Sequence, residues 1–210
     1  MGDLGGDALM ARAMMLIPLL LSLSVHEFAH AWTALYLGDD TAERMQRVTL
    51  NPLAHIDPVG TLLLPLLGIP FGWAKPVPFQ ALRFREGVNL RLGSMLVAAA
   101  GPISNVILAA VCLAVIKVFH LQGTNDAIHE LLKMLVTVNL SLALFNLIPV
   151  PPLDGSWIVD ALLPYRFQPF WSKYVRSTAG GVALLMIGLS CSGYYLRSLL
   201  SSIERSLGGF

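Results

Sequence analysis

The sequence predicts an all-α polytopic membrane protein with about four transmembrane helices, a re-entrant segment and short membrane-associated β-strands. Three observations lead there. Of the 210 residues, 55% are hydrophobic and only 13% are charged, whereas charged residues make up about a quarter of a soluble domain. Four apolar stretches, residues 8–37, 92–119, 128–150 and 177–200, reach the roughly 20 residues a helix needs to cross a hydrocarbon core. A fifth, residues 59–73, is shorter and is interrupted by Pro65, Gly68 and Pro70.

The first stretch is too long for a cleaved signal peptide and offers no small-residue cleavage site, so it is expected to stay in the protein. Residues 38–58 are polar, and Arg47, Val48, Thr49 and Leu50 read as a short strand that stops at Asn51-Pro52. The broken stretch 59–73 is expected to dip into the membrane and return. The distribution of basic residues agrees with that path. Without a crossing at 59–73, nine of the 14 Lys and Arg residues collect on one side, against a flatter eight to six if it crosses. Basic residues concentrate on the cytoplasmic side, so both termini are expected outside. Residues 71–79, rich in Gly, Pro and aromatics, read as an interfacial loop or strand edge.

Cys112 and Cys191 both lie in apolar runs without CxxC spacing, so neither a disulfide framework nor a thiolate metal site is expected. The formal net charge is +1, and no basic stripe with interleaved aromatics occurs, which argues against a nucleic-acid partner. No linker long enough to separate two domains interrupts the chain, so residues 1–210 are expected to form a single domain. The partner implied throughout is the lipid bilayer. With no organelle-retention or lipidation motif at the end of the chain, the expected location is a prokaryotic cell membrane.

Chemistry concentrates in the first stretch, at His26-Glu27-Phe28-Ala29-His30. Residues four apart share a helix face, so both imidazoles turn toward one ion with Glu27 beside them, which is the zinc-hydrolase pattern. A bland alternative is that Glu27 pairs with a histidine in a buried polar patch between helices. Ionisable groups at membrane depth are costly and are usually kept for a function. A catalytic zinc takes three protein ligands and leaves a fourth position open. Candidates for the third are His55, Asp57, His120, His129, Asp154 and Asp160. His30 lies about 7 residues, roughly 10 Å, from the inner end of its span, so the third ligand belongs on that membrane side. Asp154 follows the third long span there. Pro149, Pro151 and Pro152 exclude a regular helix before it, and Gly155 gives backbone freedom after it. Taken alone, Asp154 also reads as a helix N-cap before residues 156–162.

These residues resemble the site-2 protease family of intramembrane zinc metalloproteases. The likeness rests on His26–His30, on Asn51-Pro52 with His55-Ile56-Asp57-Pro58 and Gly60-Thr61, and on Gly72-Trp73-Ala74-Lys75-Pro76-Val77-Pro78. Gly101-Pro102-Ile103-Ser104-Asn105 and the run from Phe145 to Gly155 complete it. The resemblance implies one Zn²⁺ per chain held by His26, His30 and Asp154, with Glu27 as catalytic base. It also implies that Asn146 holds the substrate backbone or the oxyanion, although an interhelical hydrogen bond would equally suit that residue. His55 and Asn105 recur in the family pattern and read as structural hydrogen-bonders. The implied activity is endopeptidase cleavage in or near transmembrane segments of membrane proteins. Many members carry an inserted PDZ domain or a C-terminal CBS domain; neither is expected here, since the segments between spans are too short for the first and the chain stops soon after its last span. Substrate choice then falls to the membrane core, to the 71–79 loop or to a separate regulatory membrane partner. Two other readings keep part of the pattern: a metal transporter, which needs no Glu27, and a non-catalytic scaffold for transmembrane helices.

Overall fold

A computed structural model describes residues 4–67, 74–119, 121, 127–175, 198, 201–202 and 205. Seven α-helices lie among them: α1 (Leu4–Leu37), α2 (Thr41–Arg44), α3 (Leu64–Leu66), α4 (Leu90–Val118), α5 (Ala127–Asn146), α6 (Asp154–Leu162) and α7 (Gln168–Phe170). Three stretches are long and apolar enough to cross a membrane: Ala13–Leu37, Leu90–Val118 and Ala127–Asn146. The chain is thus a largely helical membrane protein. The expected fourth span, 177–200, lies outside the described residues apart from Ser198.

α1 tolerates Pro18 in its interior, where the missing N–H needs cover from neighbouring polar groups. One turn further on, Ser22 Oγ donates to the Pro18 carbonyl at 2.6 Å, an i−4 back-bond within the helix. The helix stops at Gly38, whose φ of 112° suits a residue without Cβ. An added Cβ there would stand 2.7 Å from the Arg85 nitrogen. That close approach lets Arg85 N–H donate to the Leu37 carbonyl at 2.8 Å, bringing the start of α4 beside the end of α1. α4 begins with a capped turn, Asn89 Oδ1 accepting from the N–H groups of Arg91 and Leu92. It then packs against α1, α5 and α6. Ala109 and Cys112 of α4 meet Leu135 and Val136 of α5, while Ala34, Phe84 and Val97 close the α1–α4 side.

Two expectations need correction. Residues 47–50 form no strand, and none occurs among the described residues. β-branched content suggested one, but local polar bonds prevail, as they do for turn-forming side chains. Arg47 N–H returns to the Ala42 carbonyl at 2.8 Å, the Thr49 carbonyl faces His55 Nε2 at 2.8 Å, and Asn51 Oδ1 accepts from Leu53 N–H at 3.1 Å. The third span ends at Asn146 rather than Val150, because a residue ahead of a proline avoids the α region and Pro149 closes the helix.

Residues 59–67 form a π-helical turn, Pro58–Leu63, that leads into α3. Its start is capped by Asp57, which accepts from the N–H groups of Val59 and Gly60. Residues 68–73 lie outside the described residues. On either side of 59–73, the Lys75 N–H donates to the His55 carbonyl at 2.9 Å and an Arg47 N–H donates to the Lys75 carbonyl at 2.5 Å.

Candidate metal centre

His26 and His30 lie on the α1 face turned to α4. His26 Nδ1 meets Asn105 Oδ1 at 2.6 Å and His30 Nδ1 meets the Val97 carbonyl oxygen at 2.7 Å. Both partners are acceptors, so each ring carries a proton on Nδ1 and turns Nε2 toward the other histidine. The two Nε2 atoms stand 3.0 Å apart. Both Nε2 atoms therefore point into the same small volume.

Asp154 completes the cluster from α6. The turn after α5 carries Pro149, Pro151 and Pro152, and it delivers Asp154 as the first residue of α6. The expected N-cap is not made, since Leu153 holds the cap position and no side chain caps the helix. Instead Asp154 Oδ2 lies 3.2 Å from His26 Nε2 and 3.4 Å from His30 Nε2. It is buried and has no hydrogen-bond partner.

These three residues fit a zinc ion. Donor atoms about 2.0–2.2 Å from a tetrahedral zinc stand roughly 3.3 Å from one another, and the separations here are 3.0, 3.2 and 3.4 Å. Two neutral imidazoles and one carboxylate are the donor set zinc takes in catalytic sites. Space is kept clear by Gly101 on α4, where a Cβ would collide with His30 Nε2 and lie 2.6 Å from His26 Cε1. Among the described residues, His26, His30 and Asp154 are the group able to hold a metal.

Glu27 is buried beside His26. Its Oε2 accepts the main-chain N–H of Val77 at 2.9 Å, so the 74–80 segment lies against the cluster. The same segment is held beyond that point by Asp39, whose Oδ2 accepts the Gln80 N–H at 2.5 Å. Asn146 ends α5, and its Nδ2 donates to the Leu142 carbonyl at 3.0 Å, with no hydrogen bond to the cluster among the described residues.

The remaining third-ligand candidates go elsewhere. His55 binds the Thr49 carbonyl and faces Arg47, as structural bonding requires. Asp57 caps a turn, His129 is buried on α5, and Asp160 offers its carbonyl to Gln168 from within α6. His120 lies outside the described residues. Sequence reasoning missed Ser22 and Asn139, both fully buried and joined to Asn105. The available signal was a polar side chain in the middle of an apolar span.

A His–His–carboxylate cluster with an acidic residue between the histidines, set among membrane-length helices, defines a membrane-embedded zinc metallohydrolase. Comparison with known proteins narrows the class. The model of peptidase family M50 matches residues 115–188, which include Asp154. YwhC of Bacillus subtilis, provisionally named a zinc metalloprotease, is 40% identical over 71% of this chain and 69% of its own length. Rip2 of Mycolicibacterium smegmatis, named in the same way, is 33% identical over 65% of this chain and 52% of its own length. The zinc metalloprotease MJ0392 of Methanocaldococcus jannaschii is 29% identical over 83% of this chain, which spans 42% of it. No solved structure matches the chain. The chain belongs to peptidase family M50, the site-2 zinc metalloproteases.

Proposed function

We propose that this chain is an intramembrane endopeptidase of a prokaryotic cell membrane, in which His26, His30 and Asp154 hold one Zn²⁺ and Glu27 is the catalytic base. The convergence of His26 Nε2, His30 Nε2 and Asp154 Oδ2 at 3.0–3.4 Å carries this reading. When bound, the ion supplies a Lewis acid that polarises the scissile carbonyl and acidifies water. Val77 occupies Oε2 of Glu27, so Oε1 is the atom that takes the proton from the attacking water and returns it to the leaving amine. Asn146 spends one N–H on Leu142. Its second N–H and its Oδ1 serve the substrate main chain.

The substrate class follows from the location of the cluster, which is reached by segments of other proteins that share the bilayer. A helical segment hides its carbonyls in internal hydrogen bonds, so it unwinds before cleavage. The unwound stretch pairs along residues 74–80. Val77 N–H is already spent on Glu27, and Pro76 and Pro78 have none. The substrate therefore donates its N–H groups to carbonyls of this segment. The bond between Lys75 and His55 supports the re-entrant path, because the two ends of the 59–73 segment meet at one level. Relatives in Bacillus, Mycolicibacterium and Methanocaldococcus support the prokaryotic location.

The test is cleavage of a panel of transmembrane reporter proteins by the purified chain, with wild type and Glu27→Gln compared and bound zinc measured in both. Cleavage by the wild type alone, with zinc in both, is the expected result. Cleavage by Glu27→Gln at the wild-type rate would remove Glu27 from its role. Well-folded wild type without zinc would sink the metal site.

A further inference from the structure

A chain of buried amides leads away from His26 and crosses three helices. Asn105 of α4, Asn139 of α5 and Ser22 of α1 are each 0% exposed. Asn139 Nδ2 donates to the Leu135 carbonyl at 2.8 Å and to Ser22 Oγ at 2.8 Å. Asn139 Oδ1 accepts from Asn105 Nδ2 at 2.7 Å, and the same Nδ2 reaches the Ser22 carbonyl at 3.3 Å. Ser22 Oγ passes its own proton to the Pro18 carbonyl at 2.6 Å.

The direction of every bond in this chain is forced. A main-chain carbonyl can only accept, so the Leu135 carbonyl requires the nitrogen of the Asn139 amide on its side. Oδ1 of Asn139 must then face Asn105. The Ser22 carbonyl likewise requires the nitrogen of the Asn105 amide, which leaves Asn105 Oδ1 toward His26 Nδ1. With both amides unable to flip, Asn105 offers His26 an acceptor and nothing else. The ring must keep a proton on Nδ1, and Nε2 is the nitrogen it turns toward His30 and Asp154. His30 reaches the same state by a simpler device, one bond to the Val97 carbonyl.

We propose that Asn105 and Asn139 are positioning residues that lock the tautomer and ring orientation of His26, with the setting taken from main-chain carbonyls on α1 and α5. This rests on the metal site proposed above. Groups that hold a metal-bound histidine by its second nitrogen fix its tautomer and raise its basicity, and their loss costs about 10–100-fold in metal affinity. A purely structural role, tying three membrane helices together, would make Asn105 and Asn139 matter for folding and leave zinc affinity alone.

The test measures zinc affinity of the full chain in detergent by competition with a chromophoric chelator, for wild type, Asn105→Leu, Asn105→Asp and Asn139→Leu. Asn105→Leu removes the acceptor and is expected to weaken zinc by about 10–100-fold. Asn105→Asp keeps the acceptor for His26 but loses the donor to Asn139 and Ser22, and Asn139→Leu keeps Asn105 but loses its partner, so both are expected to fall between wild type and Asn105→Leu. Nitrogen NMR of zinc-loaded wild type labelled at histidine supplies a reading that needs no variant: His26 should carry its hydrogen on Nδ1. Folded Asn105→Leu with wild-type affinity, or a hydrogen on His26 Nε2, would overturn this proposal while leaving the metal site standing. Wild type that binds no zinc would overturn both.

Discussion

Val77 donates its main-chain N–H to Oε2 of Glu27 at 2.9 Å, across 50 positions of sequence. The donor comes from a segment fixed on both sides, by Lys75 on the His55 carbonyl at 2.9 Å and by Gln80 on Asp39 at 2.5 Å. Glu27 is thus oriented from outside its own helix, and one of its two oxygens is reserved before any water arrives. A hydrogen bond to a charged group is worth about 1.5–3 kcal/mol. Val77→Pro deletes the donor at a position already confined by Pro78, where extended backbone is favoured. The expected outcome is a fall in kcat of roughly 10–100-fold with bound zinc unchanged. Equal kcat for the two proteins would show the bond to be idle.

Gly101 faces the two imidazoles from α4, and a Cβ there would run into His30 Nε2 and sit 2.6 Å from His26 Cε1. Alanine is about 1 kcal/mol better than glycine inside a helix, so α4 itself gains from Gly101→Ala. The cost falls on the cluster. Forcing a methyl group into a packed site costs about 1–3 kcal/mol, and here it is met by the candidate ligands. Gly101→Ala should keep the helical circular dichroism of wild type and lose about tenfold or more in zinc affinity. Wild-type affinity would mean that α1 and α4 separate freely enough to admit the methyl group.

Much of this arrangement was legible in the sequence where one physical rule decided it. Helical period alone puts His26 and His30 on one face, and prolines after Asn146 explain why a turn separates α5 from Asp154 at the start of α6. The strand expected at 47–50 failed because side-chain bonds from Asn51 and His55 close that stretch into a turn. Pairings between elements were not legible. His26 and Asn105 are 79 positions apart, and their contact depends on the register of α1 against α4. The same holds for Val77 and Glu27, whose bond uses a main-chain donor with no side-chain signature.

Gly155 decides how closely α6 approaches the end of α5. A Cβ at this position would collide with the Leu147 carbonyl oxygen and stand 2.5 Å from that of Ile148. Both obstacles are backbone atoms, which cannot swing aside as a side chain can. Gly155→Ala should therefore destabilise the protein by about 1–3 kcal/mol and displace Asp154, its neighbour in α6. The check is the thermal midpoint with chelator present in both samples, so that the difference excludes metal binding. Zinc affinity is then measured separately and should also fall. An unchanged midpoint together with unchanged affinity would refute the tight α5–α6 approach.

Removal of the metal should reveal what the cluster costs the protein. His26 and His30 are buried on α1 with their Nε2 atoms 3.0 Å apart, and Asp154 Oδ2 stands 3.2 and 3.4 Å from them. Without the ion, the three donor atoms share one small volume with only each other as partners, and the bonds the metal would make to them are lost. A ligand that binds only the folded state adds about 2.7 kcal/mol at a hundredfold excess over its dissociation constant. Chelation should thus lower the thermal midpoint, and re-addition of Zn²⁺ should restore it. Asp154→Ala should abolish the response to both treatments, because its loss leaves only two histidines to hold the ion. A zinc response that survives Asp154→Ala would place the stabilising metal away from this cluster.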